Sequence, residues 1–397
     1  MCGEAYQLEL LNLLLMITVA VVVPILSARV HIPSAVLLIF LGILLGPHGA
    51  KVIQTDQVGK FLSEVGFLVL MFLAGLEIDF NGIRRKGISS LVVIGIISLV
   101  VFGLAFLAAW ILGVPPIFGL ALGATSVGLP LAVLKESEMA QTRLGQSVLL
   151  MGSVGELITV LGMSLYYFLG RYGFSLELAI AMGKLFGLLL LAGMLLRIMV
   201  AMAWWNPERF EKLVAKQDGS EVGVRAALML AVGFAVLAAV AGVEGIVGAF
   251  LAGSVMAFVL RGKHVLENKL SVIGQGFFIP IFFIWIGMEF DPDLLTLKVI
   301  LDTVIFVTVA FVIRLLPSTA MLRHGLSFRQ VLASTTLLSA PLTLVVAIVA
   351  VGTSLQTLDK EKSALLVTMA LAAGVVFPGI FKIMELKHGS KGQGRNV

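Results

Sequence analysis

Two ionisable side chains lie deep in apolar sequence: Glu156, within Met151-Gly152-Ser153-Val154-Gly155-Glu156-Leu157, and Arg314, in the stretch ahead of Pro317. A carboxylate inside a membrane-spanning run costs a few kcal/mol to insert and marks an ion or proton path. Desolvation makes a proton and a cation competitors for such a group. Arg314 keeps its proton under physiological conditions, so it cannot carry H⁺ itself. It can neutralise a carboxylate, cap free carbonyl ends, or snorkel toward the cytoplasmic end of its helix.

Two further stretches combine hydroxyls with helix breakers. One reads Thr125-Ser126-Val127-Gly128-Leu129-Pro130, the other Ser334-Thr335-Thr336 followed by Ser339-Ala340-Pro341. Freed backbone groups find no partner in lipid, so such segments must be buried in protein or line a cavity. Paired interruptions of this kind point to a binding site at the bilayer midplane, where half-helix N-termini favour anions and unwound carbonyls favour cations. Candidate cation ligands are therefore Glu156, Thr125, Ser126 and Ser153. The broken-helix residues of the site are Gly128, Pro130, Thr336, Ser339 and Pro341.

The rest of the 397-residue chain must position these groups. It is 59% hydrophobic and 13% charged, too apolar for a water-soluble globular enzyme. Thirteen apolar stretches recur, at about 10–28, 33–47, 61–78, 88–112, 116–134, 145–169, 178–203, 224–242, 245–260, 271–288, 298–322, 329–351 and 363–384. The composition predicts an all-α polytopic membrane protein. Most loop Lys and Arg residues, among them Arg84, Arg85, Lys86, Arg209, Lys212, Arg323 and Lys387, fall on one side, which places the N-terminus outside and the C-terminus in the cytoplasm. These bases lie in short loops, so the net charge of +5 argues for no nucleic-acid partner. The loop 204–223, with Trp204, Trp205 and Pro207, reads as an interfacial hinge joining two halves.

Laying the halves over one another at an offset of about 211 residues matches Gly75, Glu77 and Asp79 with Gly287, Glu289 and Asp291. It also matches Phe40-Leu41 with Phe250-Leu251, and Thr125 and Pro130 with Thr336 and Pro341. Seven spans separate the equivalents, so the copies run in opposite directions: an inverted-topology repeat, as in many secondary transporters. Glu156 and Arg314 fall opposite Val367 and Gly103 and break this pseudo-symmetry. Glu77, Asp79, Glu289 and Asp291 read as solvated helix ends; Glu244 and Asp302, near the outer face, receive no role. Cys2 alone forms no intramolecular disulfide, and the five histidines show no zinc-site spacing. There is no cleavable leader pattern, catalytic triad, P-loop or dinucleotide fingerprint, hence no cofactor and no primary ATP-driven pump.

Phe72-Leu73-Ala74-Gly75-Leu76-Glu77-Ile78-Asp79, Gly248-Ala249-Phe250-Leu251-Ala252-Gly253 and Phe278-Ile279-Pro280-Ile281-Phe282-Phe283 together resemble signature segments of the monovalent cation:proton antiporter-2 family of bacterial sodium/proton and potassium/proton exchangers. The resemblance covers nearly the whole chain. It implies about 13 transmembrane helices, two broken helices that cross beside the ion site, a homodimer in the bacterial inner membrane, and a core that moves against a scaffold. On that reading 1–87 and 224–297 form the dimerisation scaffold, and 88–177 and 298–385 the transport core. Residues 178–203 are then a linker helix, 204–223 a cytoplasmic loop and 386–397 a tail, with no attached nucleotide-binding domain.

By resemblance, Glu156 matches the ion-binding carboxylate, usually Asp. Thr125 and Ser126 match the polar residues of the first broken helix, and Arg314 a basic residue often Lys. Gly155 stands where electrogenic members have Asp and others Gln or Asn. One titratable carboxylate in place of two implies electroneutral exchange of Na⁺, K⁺ or Li⁺ for H⁺ at Glu156, by elevator-type alternating access. Two other readings stay open from the residues themselves: a sodium-coupled organic-solute symporter, and a cation channel or non-transporting sensor.

Overall fold

The computed structural model describes residues 2–30, 32–77, 80–140, 142–205, 221–240, 245–259 and 264–392. Asp79, Glu244 and most of the hinge loop 204–223 lie outside the described residues.

The described chain is helical. It comprises α1 (Cys2–Val30), α2 (Ser34–Leu45), α3 (Gln57–Leu76), α4 (Phe80–Ile111), α5 (Pro116–Gly123), α6 (Gly128–Glu136), α7 (Arg143–Tyr172) and α8 (Leu176–Trp205). These are followed by α9 (Val222–Val240), α10 (Gly245–Val259), α11 (His264–Ile273), a π-helical turn (Gly274–Phe278), α12 (Ile279–Glu289), α13 (Leu297–Ser318), α14 (Phe328–Leu338), α15 (Leu342–Ser354) and α16 (Lys360–Gly392). Among the described residues eight helices are long and apolar enough to cross a bilayer, and α14 with α15 forms one further span bent by 41°. With the shorter apolar helices at 34–45, 116–131 and 245–258, and with α8, every one of the thirteen stretches read from the sequence has its helical counterpart. Large side chains such as Leu14, Val21, Trp110, Leu190, Val236 and Leu301 point outward. An outward apolar surface of this extent is stable only in lipid. The chain is a multi-pass membrane protein.

It divides into two compact units, Met1–Phe80 with Tyr172–Pro292, and Asn81–Arg171 with Asp293–Val397. In the first unit α2 packs on α12 and α3 on α10, and α8 also packs on α10. These helices meet backbone to backbone. A Cβ on Gly42 would lie 2.2 Å from the Ile284 carbonyl oxygen, and one on Gly287 would lie 2.1 Å from that of Ile39. The second seam repeats the first at the sequence offset: a Cβ on Gly253 would lie 2.0 Å from the Phe72 carbonyl oxygen, and one on Gly75 would lie 2.2 Å from that of Phe250. Only residues without a side chain permit such approach, as in small-residue seams between membrane helices. At one end of the unit Asp56 caps α3, accepting the Gly59 N–H at 2.5 Å, while Asn12 on α1 donates to its other oxygen at 2.8 Å.

In the second unit two helices are interrupted. α5 stops at Gly123 and α6 begins at Gly128, with Ala124 extended at φ −55°, ψ 135°. α14 stops at Leu338, and Pro341 stands immediately before α15. Buried Leu134, Val148, Leu150, Val331, Leu337, Leu338 and Phe381 form the apolar core around these segments.

Candidate functional site

The site grows out of the first interruption. Gly123 ends α5, and the extended backbone at Ala124 turns its carbonyl out of the helix. Pro130, the third residue of α6, lacks an N–H where the first turn has none to bond, so it does not disturb the restart. Four residues, Ala124 to Val127, thus leave free donors and acceptors in the middle of an apolar unit.

Neighbouring helices satisfy them. Glu156, fully buried on α7, accepts the Val127 N–H at 3.1 Å through Oε2, and its Oε1 accepts the Ser126 hydroxyl at 3.4 Å. One turn further along α7, Thr159 accepts the Thr125 N–H at 3.1 Å and donates its own proton to the Gly155 carbonyl at 2.7 Å. On the other side of the break, Arg314 of α13 is 3% exposed and donates through Nη2 to the Ala124 carbonyl. Its Nη1 donates to the Ala310 carbonyl at 2.7 Å. Arg314 therefore does not snorkel, and both of these bonds go to backbone oxygens.

The electrostatics follow from helix polarity. The C-terminus of α5 carries partial negative charge and meets a guanidinium; the N-terminus of α6 carries partial positive charge and meets a carboxyl group. Each deep charge thus complements one half-helix. The Nε of Arg314 and the hydroxyls of Ser153 and Thr335 are buried and lack a hydrogen-bond partner among the described residues. A buried polar atom in that state costs about 1–3 kcal/mol unless something else binds it.

The second break is quieter. Ser339 donates to the Thr335 carbonyl at 2.7 Å, and Thr336 to the Leu332 carbonyl at 2.8 Å. Thr336 is still inside α14, so the second interruption starts about one turn later than the offset of 211 places it. Thr343, at the start of α15, reaches back to the first break, with its Oγ1 3.2 Å from the Ser126 Oγ.

Of the residues named from sequence, the structure gathers Glu156, Ser126, Thr125 and Arg314 around 124–128. Ser153 lies one turn from Glu156 on α7 with its hydroxyl unbonded among the described residues, and Thr336, Ser339 and Pro341 serve the second break. Thr159 and Thr343 were missed. Thr159 was legible, being three residues from Glu156 and so on the same helical face. Thr343 was not, because its role depends on a tertiary contact spanning 217 residues. No group of three or more His, Cys, Asp or Glu able to hold a metal ion occurs among the described residues.

Comparison with known proteins identifies the family and the fold. YjbQ of Bacillus subtilis (strain 168) is 28% identical over 394 residues, covering 94% of this chain and 62% of its own length, so the chain spans less than two thirds of that relative. The Na(+)/H(+)-K(+) antiporter GerN of Bacillus cereus is 30% identical over 275 residues, covering 68% of each chain. The structure of the sodium proton antiporter MjNhaP1 from Methanocaldococcus jannaschii superposes with a TM-score of 0.68 at 15% identity, covering 96% of this chain and 99% of that one, which establishes a shared fold. The family model described as "Sodium/hydrogen exchanger, transmembrane" matches residues 17–387, nearly the whole chain. With its interrupted helices and buried acid in one unit, the chain belongs to the sodium/hydrogen exchanger family, a family of transporters and not of enzymes.

Proposed function

We propose that this protein is a monovalent cation/proton antiporter in which Glu156 alternately holds a cation and a proton. The observation that carries the reading is the setting of that carboxyl group: fully buried, at the N-terminus of a half-helix, held by one N–H and one hydroxyl. When a cation enters, the proton leaves, so Glu156 with its occupant carries the same net charge in both states. Arg314 keeps the break open from its other end and is occupied with carbonyls, so it acts as a positioning residue. Thr125, Ser126 and Ser153 are the oxygens available to complete the cation's shell.

Exchange is electroneutral on this reading, one cation for one proton. A side chain at position 155 would bring its Cβ 2.8 Å from the Thr125 Cβ, so the space beside Glu156 is already filled. A single carboxylate then carries the cycle, and a membrane potential alone drives nothing. The second unit is the moving core and the first the scaffold, through which two copies pair in an inner membrane with N-termini outside and C-termini in the cytoplasm. The broken helices and inverted repeat are the features alternating access requires. Sodium is the first ion to test; the name of GerN makes potassium the second.

The test uses proteoliposomes with an internal pH dye and the potential clamped at zero. Addition of Na⁺, K⁺ or Li⁺ outside should release protons from wild type and none from a folded Glu156→Gln protein. Cation-dependent current at an imposed potential would overturn the stoichiometry. Cation flux that requires an organic solute and moves no proton would replace antiport by symport.

A further inference from the structure

We propose that the Thr343 hydroxyl is a ligand of the transported cation, supplied by the second interrupted helix to a site otherwise built on the first. The inference rests on Glu156 being the cation's carboxylate. Ser126 links two further side-chain oxygens: its Oγ is 3.4 Å from Glu156 Oε1 and 3.2 Å from Thr343 Oγ1. Hydroxyl hydrogen bonds are ordinarily about 2.7–2.8 Å long, so both separations are loose. They suit a different geometry. Oxygens about 2.4 Å from a cation of calcium's size, which is also sodium's, stand about 3.4 Å apart when they subtend a right angle. A sodium-sized ion therefore fits each pair, and it takes all three oxygens when the angle at Ser126 holds Glu156 Oε1 and Thr343 Oγ1 within about 4.8 Å, twice the metal–oxygen distance, the hydroxyl protons turning away and their lone pairs toward it.

The position of Thr343 in its helix explains why its hydroxyl is available. Thr159, Thr336, Ser339 and Thr353 all donate to the carbonyl four residues earlier. Thr343 is the second residue of α15, and four residues back the chain is in the break at Ser339. Pro341 at the cap position offers no side-chain bond. The hydroxyl is thus turned on Ser126 and not on its own helix. Burial also orders the three oxygens: Thr343 is half-buried, Ser126 is 3% exposed and Glu156 fully buried.

The experiment compares wild type with Thr343→Val, which keeps shape and removes the hydroxyl, Thr343→Ser, which keeps the hydroxyl, and Thr353→Val as a control outside the site. Binding of ²²Na⁺ to purified protein in detergent is measured alongside the half-maximal Na⁺ concentration and saturating rate in proteoliposomes. Thr343→Val should raise the half-maximal Na⁺ concentration about tenfold in both assays, as expected for losing one bond to a charged group. The saturating rate should fall much less. Thr343→Ser should stay within about twofold of wild type, and Thr353→Val should match it. Unchanged Na⁺ binding in Thr343→Val overturns the proposal. So does an equal loss in the Val and Ser variants, which would mark a packing role, or an absence of Na⁺ binding to wild type. Intact Na⁺ binding that responds to Thr343 but drives no proton flux would keep this assignment and remove the antiport reading.

Discussion

The two units solve the problem of holding helices together in lipid by opposite means. In the first, glycines let backbones touch, and the two seams are copies: Gly42 against Ile284 and Gly287 against Ile39 repeat as Gly253 against Phe72 and Gly75 against Phe250. In the second, polar side chains reach across to an interrupted backbone, and the copies differ. The first break has Glu156 at one end and Arg314 at the other, while Ser339 at the second bonds only its own helix among the described residues. Symmetry survives where only packing is required, and it is lost where a charge must be handled at one place.

The largest test of this contrast is Glu156→Gln. The amide can still accept the Val127 N–H, so the second unit should fold while cation-driven proton flux falls at least about a hundredfold, the scale of losing a group the cycle cannot run without. A dye assay in proteoliposomes reads it. Next comes Arg314→Leu, which strips the Ala124 carbonyl of its partner. It should cost about 2–3 kcal/mol, seen as a lowered melting temperature in detergent, with Arg314→Lys recovering part. Gly103→Ala, at its counterpart under the repeat, where a Cβ meets nothing within 4 Å, should not match that loss.

Gly42→Ala and Gly253→Ala then probe the seams. Each places a methyl about 2 Å from a carbonyl oxygen and should cost about 1–3 kcal/mol. The two losses should agree within about 0.5 kcal/mol in melts of the purified variants, and the half-maximal cation concentration should not move. Unequal losses would mean that the seams are not equivalent. The smallest effect belongs to Asp359, outside the membrane, which caps α16 by accepting the Lys362 N–H at 2.8 Å. Its carboxyl is held below the ordinary value by hydrogen bonds from the Lys362 side chain and backbone. Such a group stabilises fully above its unfolded pKa of about 3.9 and loses that contribution as pH falls through the lowered folded value. Asp359→Ala should thus cost about 0.5–1 kcal/mol at pH 7, with the difference from wild type shrinking in melts taken toward pH 3.

Much of this was legible in the residues. Apolar runs located every span because lipid leaves a helix no alternative. Glu156 and Arg314 stood out because charge is so rare inside such runs. What the sequence could not supply was the partner of each group. Glu156 and Arg314 suggested one another by charge, yet the structure gives Arg314 two carbonyls, since a half-helix end presents acceptors that no residue type announces. The register of the second break was misplaced for a similar reason. Pro341 matched Pro130 in sequence, but Pro130 sits inside the restarted helix and Pro341 ahead of it.

The fit of Thr125 against Gly155 also bears on how such a protein can change over time. With Cβ to Cβ at 2.8 Å, any side chain gained at 155 meets a β-branched neighbour that has little freedom to move aside. A second acid beside Glu156 thus calls for a smaller residue at 125 as well, so a change that adds a charge at one position is tied to a change of volume at another.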